Sequence, residues 1–150
     1  MSLNEEVELL RNIPLFAKLE PSKLKLLAFT AERITYDADQ TLFSQGDVGD
    51  AAYIIVDGAA KVIVDTPDGE LEVAELGRND FVGEIAILCD VPRTATVRAS
   101  SKTITLRITK DLFFRLVAEF PEMSVEIMRE LASRLEQTTQ QLREALAQSS

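Results

Sequence analysis

The apolar positions change period twice along the chain. They recur at Leu3, Val7, Leu10 and Ile13, the spacing of an amphipathic helix, and Pro14 is expected to end it. Glu20-Pro21-Ser22 opens a second helix, with Leu24, Leu26, Leu27 and Ala28 assigned to its buried side and Lys23 and Lys25 to water. From Arg33 the period falls to two. Arg33 to Tyr36 and Gln40 to Phe43 predict short strands around Asp37-Ala38-Asp39, and Gln45 to Asp50 is a loop of turn formers. Ala52 to Asp57 is apolar on both faces, as expected of a buried strand that Gly58 breaks. Lys61 to Asp65 and Leu71 to Leu76 flank Thr66-Pro67-Asp68-Gly69, a turn signal between two β-rich runs. Thr94 to Arg98 and Lys102 to Thr109 complete the series. In the last of these, Ile104, Leu106 and Ile108 are expected inward, and Thr103, Thr105 and Arg107 outward. Short strands separated by turns every eight to twelve residues indicate a sandwich or barrel.

Helical spacing then returns. Asp111 to Phe120 predicts one helix, and Pro121 stops it and opens another, from about Glu122 to Ala147. At 1.5 Å per residue that last helix is roughly 38 Å long, more than a small β-domain needs as a cap. It carries a seam at Met128, Leu131, Leu135, Thr138, Leu142 and Ala145, alternating by three and four. Such a seam suits a parallel pair of helices, so a homodimer through this helix is expected. Packing on the chain's own sheet would explain Ile127, Met128 and Leu131, but explains Leu142 and Ala145 poorly.

Composition removes several classes of function. With 150 residues and 46% hydrophobic, the chain is read as one domain with a packed core. A net charge of −9 argues against direct binding of nucleic acid. There is no histidine, so histidine-dependent metal sites and catalytic triads are excluded. The single cysteine, Cys89, forbids an internal disulfide and fits a reducing cytoplasm. No run is long enough to span a membrane, and the acidic start, Asn4-Glu5-Glu6, is unlike a signal peptide.

The chemistry concentrates between Phe81 and Val97. Gly83 permits a sharp turn and close approach of a ligand. Glu84 to Leu88 is long enough for about one helical turn, whose first amides lack intrahelical partners and suit a phosphate. Arg93 brings a planar fork of donors to the same place. Glu84 is an acceptor that disfavours phosphate, so it should face a hydroxyl. A ribose phosphate fits both. A surface ion pair of Glu84 and Arg93 beside an ordinary turn fits as well.

Gly83-Glu84-Ile85-Ala86 followed by Pro92-Arg93-Thr94-Ala95 resembles the phosphate-binding cassette of the cyclic nucleotide-binding domain family. That family includes the bacterial catabolite activator protein and the regulatory subunits of cyclic-AMP-dependent protein kinase. The resemblance implies a mainly β fold with flanking helices: a double-stranded β-helix, or jelly-roll-like β-roll, with N-terminal helices and a long C-terminal helix. It divides the single domain into a helical lead-in (1–30), the β-roll (31–109) with its cassette (81–97), and C-terminal helices (110–147). Ile13-Pro14-Leu15-Phe16 before a helix resembles the family's lead-in. Relatives usually have glycine where Asn79 stands, and asparagine also tolerates positive φ, so that turn should survive.

The same resemblance implies roles. Arg93 pairs with the cyclic phosphate, and backbone amides of Ile85, Ala86 and Ala95 complete the cradle. Glu84 accepts from the ribose 2′-hydroxyl, Gly83 leaves room for the sugar, and Thr94 bonds a phosphate oxygen. Val62 and Val73, read from the sequence as core strand residues, line an apolar wall under the purine. Thr138 and Thr139 stand at the offset from the arginine where relatives offer hydroxyls to the exocyclic amine of adenine, and Arg134 matches a basic residue near the purine. Paired threonines favour cyclic AMP; Thr94 after the arginine keeps cyclic GMP open. The implied action is a switch in which the ligand repositions the C-terminal helix. Its output is expected from a separate effector protein or from an output domain absent from this sequence. No metal and no catalytic activity are expected. A metal-dependent cupin or a haem or iron–sulfur sensor needs histidines or more cysteines, and a docking module that has lost nucleotide binding would not need an intact Glu84 and Arg93.

Overall fold

Strand pairing follows the period-two segments closely. The structure is a computed structural model and describes residues 3–13, 16–17 and 19–149. The chain runs α1 (Leu3–Arg11), α2 (Pro21–Thr30), β1 (Glu32–Tyr36), β2 (Thr41–Phe43), β3 (Ala51–Asp57), β4 (Ala60–Thr66), β5 (Gly69–Leu76), β6 (Phe81–Val82), α3 (Glu84–Cys89), β7 (Thr96–Ala99), β8 (Thr103–Thr109), α4 (Lys110–Glu119) and α5 (Pro121–Ser149). The strands form two antiparallel sheets, ordered β1-β8-β3-β6 and β2-β7-β4-β5. This is the expected β-roll with flanking helices. Pro14, expected to end α1, lies outside the described residues, as do Met1 and Leu15.

The core forms because β3 is apolar on both of its faces. Ala51, Tyr53 and Ile55 join Leu42, Ala60, Val97 and Ala99 in one cluster drawn from both sheets. Elsewhere in this unit the Phe81 ring stacks on Phe113 at 6.1 Å and meets Phe16 edge-on at 5.9 Å. The β4–β5 hairpin closes on the expected turn, with Thr66 opposite Gly69 and the Thr66 hydroxyl donating to the Gly69 carbonyl at 2.7 Å. Asn79 takes φ 73°, as its turn requires.

Three expectations are corrected. Leu26 is half exposed, whereas Leu24, Leu27 and Ala28 are buried. At 100° per residue Leu26 stands on the far side of α2 from Leu24. Thr103 and Thr105 do not face water: both are fully buried. Strand β8 lies inside its sheet between β1 and β3, so the alternation of a half-exposed strand does not apply. Their hydroxyls are satisfied by backbone, Thr103 donating to Ala59 O at 2.9 Å and Thr105 to Ile34 O at 3.0 Å. Val73 is not a core strand residue, being 52% exposed on edge strand β5.

The chain divides into two compact units, Met1–Phe114 and Arg115–Ser150. The first holds both sheets. In the second, α5 extends over 29 residues, or about 44 Å. Its seam residues Met128, Leu135 and Leu142 are exposed. No helix among the described residues is long and apolar enough to cross a membrane.

Candidate functional site

Gly83 begins the site. It adopts φ 95°, a conformation that costs L side chains energy, and serves as N-cap of α3 without a side-chain cap bond. The first amides of α3 are therefore not capped by a side chain. A Cβ on Gly83 would lie 2.7 Å from Arg93 Nη1 and 3.3 Å from the Ala51 carbonyl. Glycine is favoured here by its conformation, and a side chain would also have to displace the Arg93 guanidinium. At the far end, Asp90 closes α3 in a left-handed conformation, its amide donating to Ala86 O. A Cβ on Gly49 would collide with that of Ala86, so the loop before β3 also packs closely on α3.

Arg93 is brought to Gly83 by its own backbone. Its amide donates to Asp47 O at 2.7 Å, and its carbonyl accepts from Gly46 at 2.8 Å. The side chain is then buried. Nη1 donates to Gly83 O at 2.8 Å and Nη2 to Ala51 O at 2.5 Å, while the guanidinium lies 4.0 Å from the centroid of the Phe43 ring. Asp50 Oδ1 stands 3.9 Å from Nη2, beyond hydrogen-bond distance. Nε is buried with no hydrogen-bond partner. Burial pushes the guanidinium below its usual range, Asp50 and Asp47 oppose that shift, and the like charge of Arg107 adds to it. A desolvated cation with an unused donor is chemically suited to an anion.

Glu84 is also buried, at 5% exposure against 3% for Arg93. Neither is a surface residue, which removes the reading of an exposed ion pair beside a turn. Ala86 is buried, Ile85 and Thr94 are exposed, and Ala95 is half-buried. Val62 packs half-buried against the core cluster. The structure thus gathers Gly83, Glu84, Ile85, Ala86 and Arg93 around one turn, followed directly by Thr94 and Ala95.

Arg134, Thr138 and Thr139 belong to the second unit. There Thr138 donates to Arg134 O at 2.9 Å and Thr139 to Leu135 O at 2.8 Å, each four residues back, and both side chains are exposed. Among the described residues, no group of three acidic or cysteine side chains is placed to hold a metal.

Sequence reasoning missed Phe43, Asp50 and Arg107. Phe43 reads as an ordinary strand residue and Asp50 as a turn former. Arg93 lies 50 positions from Phe43 and 43 from Asp50, and Arg107 lies 57 from Asp50, so no local motif marks them.

A buried arginine beside a left-handed glycine and a buried acid, on a two-sheet roll, is an arrangement suited to a small anionic ligand. Residues 33–120 match the family model described as the cyclic nucleotide-binding domain. The chain belongs to the cyclic nucleotide-binding domain family. A CRP-like cAMP-activated global transcriptional regulator of Mycobacterium tuberculosis is 30% identical over 136 residues, covering 90% of this chain and 61% of its own length. A cAMP-dependent protein kinase regulatory subunit of Blastocladiella emersonii is 35% identical over 115 residues, covering 76% of this chain and 28% of its own. The crystal structure of the Thermus thermophilus Catabolite Activator Protein is similar at a TM-score of 0.79 and 28% identity, covering 86% of this chain and 61% of that one. This chain therefore spans less than two thirds of each of these relatives.

Proposed function

We propose that this chain binds a cyclic nucleotide, cyclic AMP in preference to cyclic GMP, and acts as the sensing part of a cytoplasmic signalling system rather than as an enzyme. The observation that carries the reading is the buried Arg93 cation, its Nε unpartnered, packed against a left-handed glycine where a side chain would have to displace it. A cyclic phosphate supplies the missing anion. Amides of Ile85, Ala86 and Ala95 complete the cradle, and Thr94 bonds a phosphate oxygen. Glu84 takes the ribose 2′-hydroxyl, since a carboxylate at this position accepts and does not donate. Val62 and Val73 form the apolar wall under the base, with Val73 half exposed.

The preference for adenine rests on the α5 threonines. Each hydroxyl spends its proton on a backbone carbonyl. What remains is acceptor capacity. An acceptor matches the exocyclic amine of adenine and opposes the carbonyl oxygen that guanine presents at the same position. Arg134, one turn earlier on α5, is the basic residue proposed to serve the purine. Exposed Thr94, after the arginine, supports cyclic GMP as the second reading.

In the proposed action, ligand contacts from the roll and from α5 favour the state in which the two are close, by the difference in affinity between states. The exposed apolar seam of Met128, Leu135 and Leu142 pairs with a second copy of the chain. Readout passes to a separate effector or to a further domain; the charge of −9 argues against direct contact with nucleic acid. Calorimetric titration with cyclic AMP and cyclic GMP tests the reading. Tighter binding of cyclic AMP is expected, and no heat with either nucleotide overturns it.

A further inference from the structure

The arginine that faces the proposed phosphate does not stand alone. Asp50 sits between two guanidiniums. Its Oδ2 accepts from Arg107 Nη2 at 3.1 Å, while its Oδ1 remains 3.9 Å from Arg93 Nη2. The other arm of Arg107 reaches Glu32 at 3.3 Å, which fixes β8 residue 107 across to β1. The Arg93 guanidinium also lies over Phe43, whose ring stacks on Tyr53 at 5.8 Å. Arg93, Asp50 and Arg107 thus form one electrostatic circuit in which two cations share a carboxylate.

We propose that Arg107 is a positioning residue for phosphate binding: it holds the Asp50 carboxylate just out of hydrogen-bond reach of Arg93, so that the buried guanidinium stays open to the ligand's phosphate. The proposal rests on the cyclic nucleotide reading of the cassette. Without Arg107, Asp50 has one cationic neighbour left in this circuit and closes on Arg93. A phosphate must then displace an internal carboxylate. Asp50 is exposed on its other side, so the competition is moderate rather than prohibitive.

The test is a double-mutant series titrated with cyclic AMP. Arg107→Gln is expected to weaken binding about fivefold. Adding Asp50→Asn to Arg107→Gln is expected to restore affinity to within about twofold of Asp50→Asn alone, because the competitor is gone. Arg107→Lys, which keeps the charge, is expected to recover part of the loss. A general folding defect would not be cured by neutralising Asp50. Unchanged affinity in Arg107→Gln, or a loss that Asp50→Asn does not relieve, overturns the proposal. A second readout needs no nucleotide. The Arg93 Nε–H resonance, identified by its loss in Arg93→Lys, is expected to shift in Arg107→Gln and to return when Asp50→Asn is added. If the wild-type chain binds neither cyclic nucleotide, the reading of the site fails, and a resonance that does not move separately overturns the positioning role.

Discussion

The cassette and the last helix carry similar polar chemistry in opposite physical states. In the cassette, Arg93 and Glu84 are desolvated, and Arg93 is held by Gly83, Phe43 and Ala51. On α5, Thr138 and Thr139 stand in water and satisfy their donors within their own helix. Desolvated, prearranged groups lose little on meeting a ligand and gain strong charge-assisted bonds. Exposed hydroxyls exchange one partner, water, for another and gain less. In the proposed site, affinity therefore resides in the roll and discrimination between bases in the helix.

The largest break in that comparison is Arg93→Ala, expected to weaken cyclic AMP on the order of 100-fold or more in calorimetry. Gly83 O and Ala51 O lose donors, but a desolvated cation is also removed, so the variant is expected to fold with unchanged circular dichroism. Retained affinity would remove the phosphate assignment. Gly83→Ala comes next. It places a side chain at φ 95° and 2.7 Å from Arg93 Nη1, and is expected to cost about 1–3 kcal/mol in denaturant unfolding and to displace the arginine. A variant as stable as the parent would show that the turn relaxes freely. Glu84→Gln is expected to weaken cyclic AMP about tenfold while leaving the 2′-deoxy analogue unaffected. Equal losses for both ligands would detach Glu84 from the ribose. The smallest effect is Thr138→Ala, with about a threefold loss for cyclic AMP and less for cyclic GMP. Equal losses would move the discrimination away from the helix.

The cassette was legible because its chemistry is local. Gly83 and Glu84 are adjacent, and the return to Arg93 takes ten residues, so turn chemistry and donor type marked the stretch, while the choice between a ligand pocket and a surface ion pair came from the resemblance to a known cassette. The strands were legible from period two and from Gly58 and Gly69. What escaped was what the sheet brings together. Thr103 and Thr105 read as outward-facing, but β8 is an interior strand and both are buried on backbone carbonyls. Leu26 read as core because it is leucine, although its angular position on α2 faces away. Asp50 and Arg107 are 57 positions apart and meet only through the pairing of β3 with β8.

The unpartnered Nε of Arg93 has a practical consequence for the bench. A buried cation with a spare donor does not distinguish a nucleotide's phosphate from an inorganic oxyanion by charge alone. If Arg93 holds the phosphate as proposed, phosphate or sulfate in a storage buffer is expected to compete for the same guanidinium and to stabilise the chain by mass action. An apparent affinity for cyclic AMP taken in phosphate-buffered saline is then expected to understate the one taken in a chloride medium, with a higher melting temperature in phosphate.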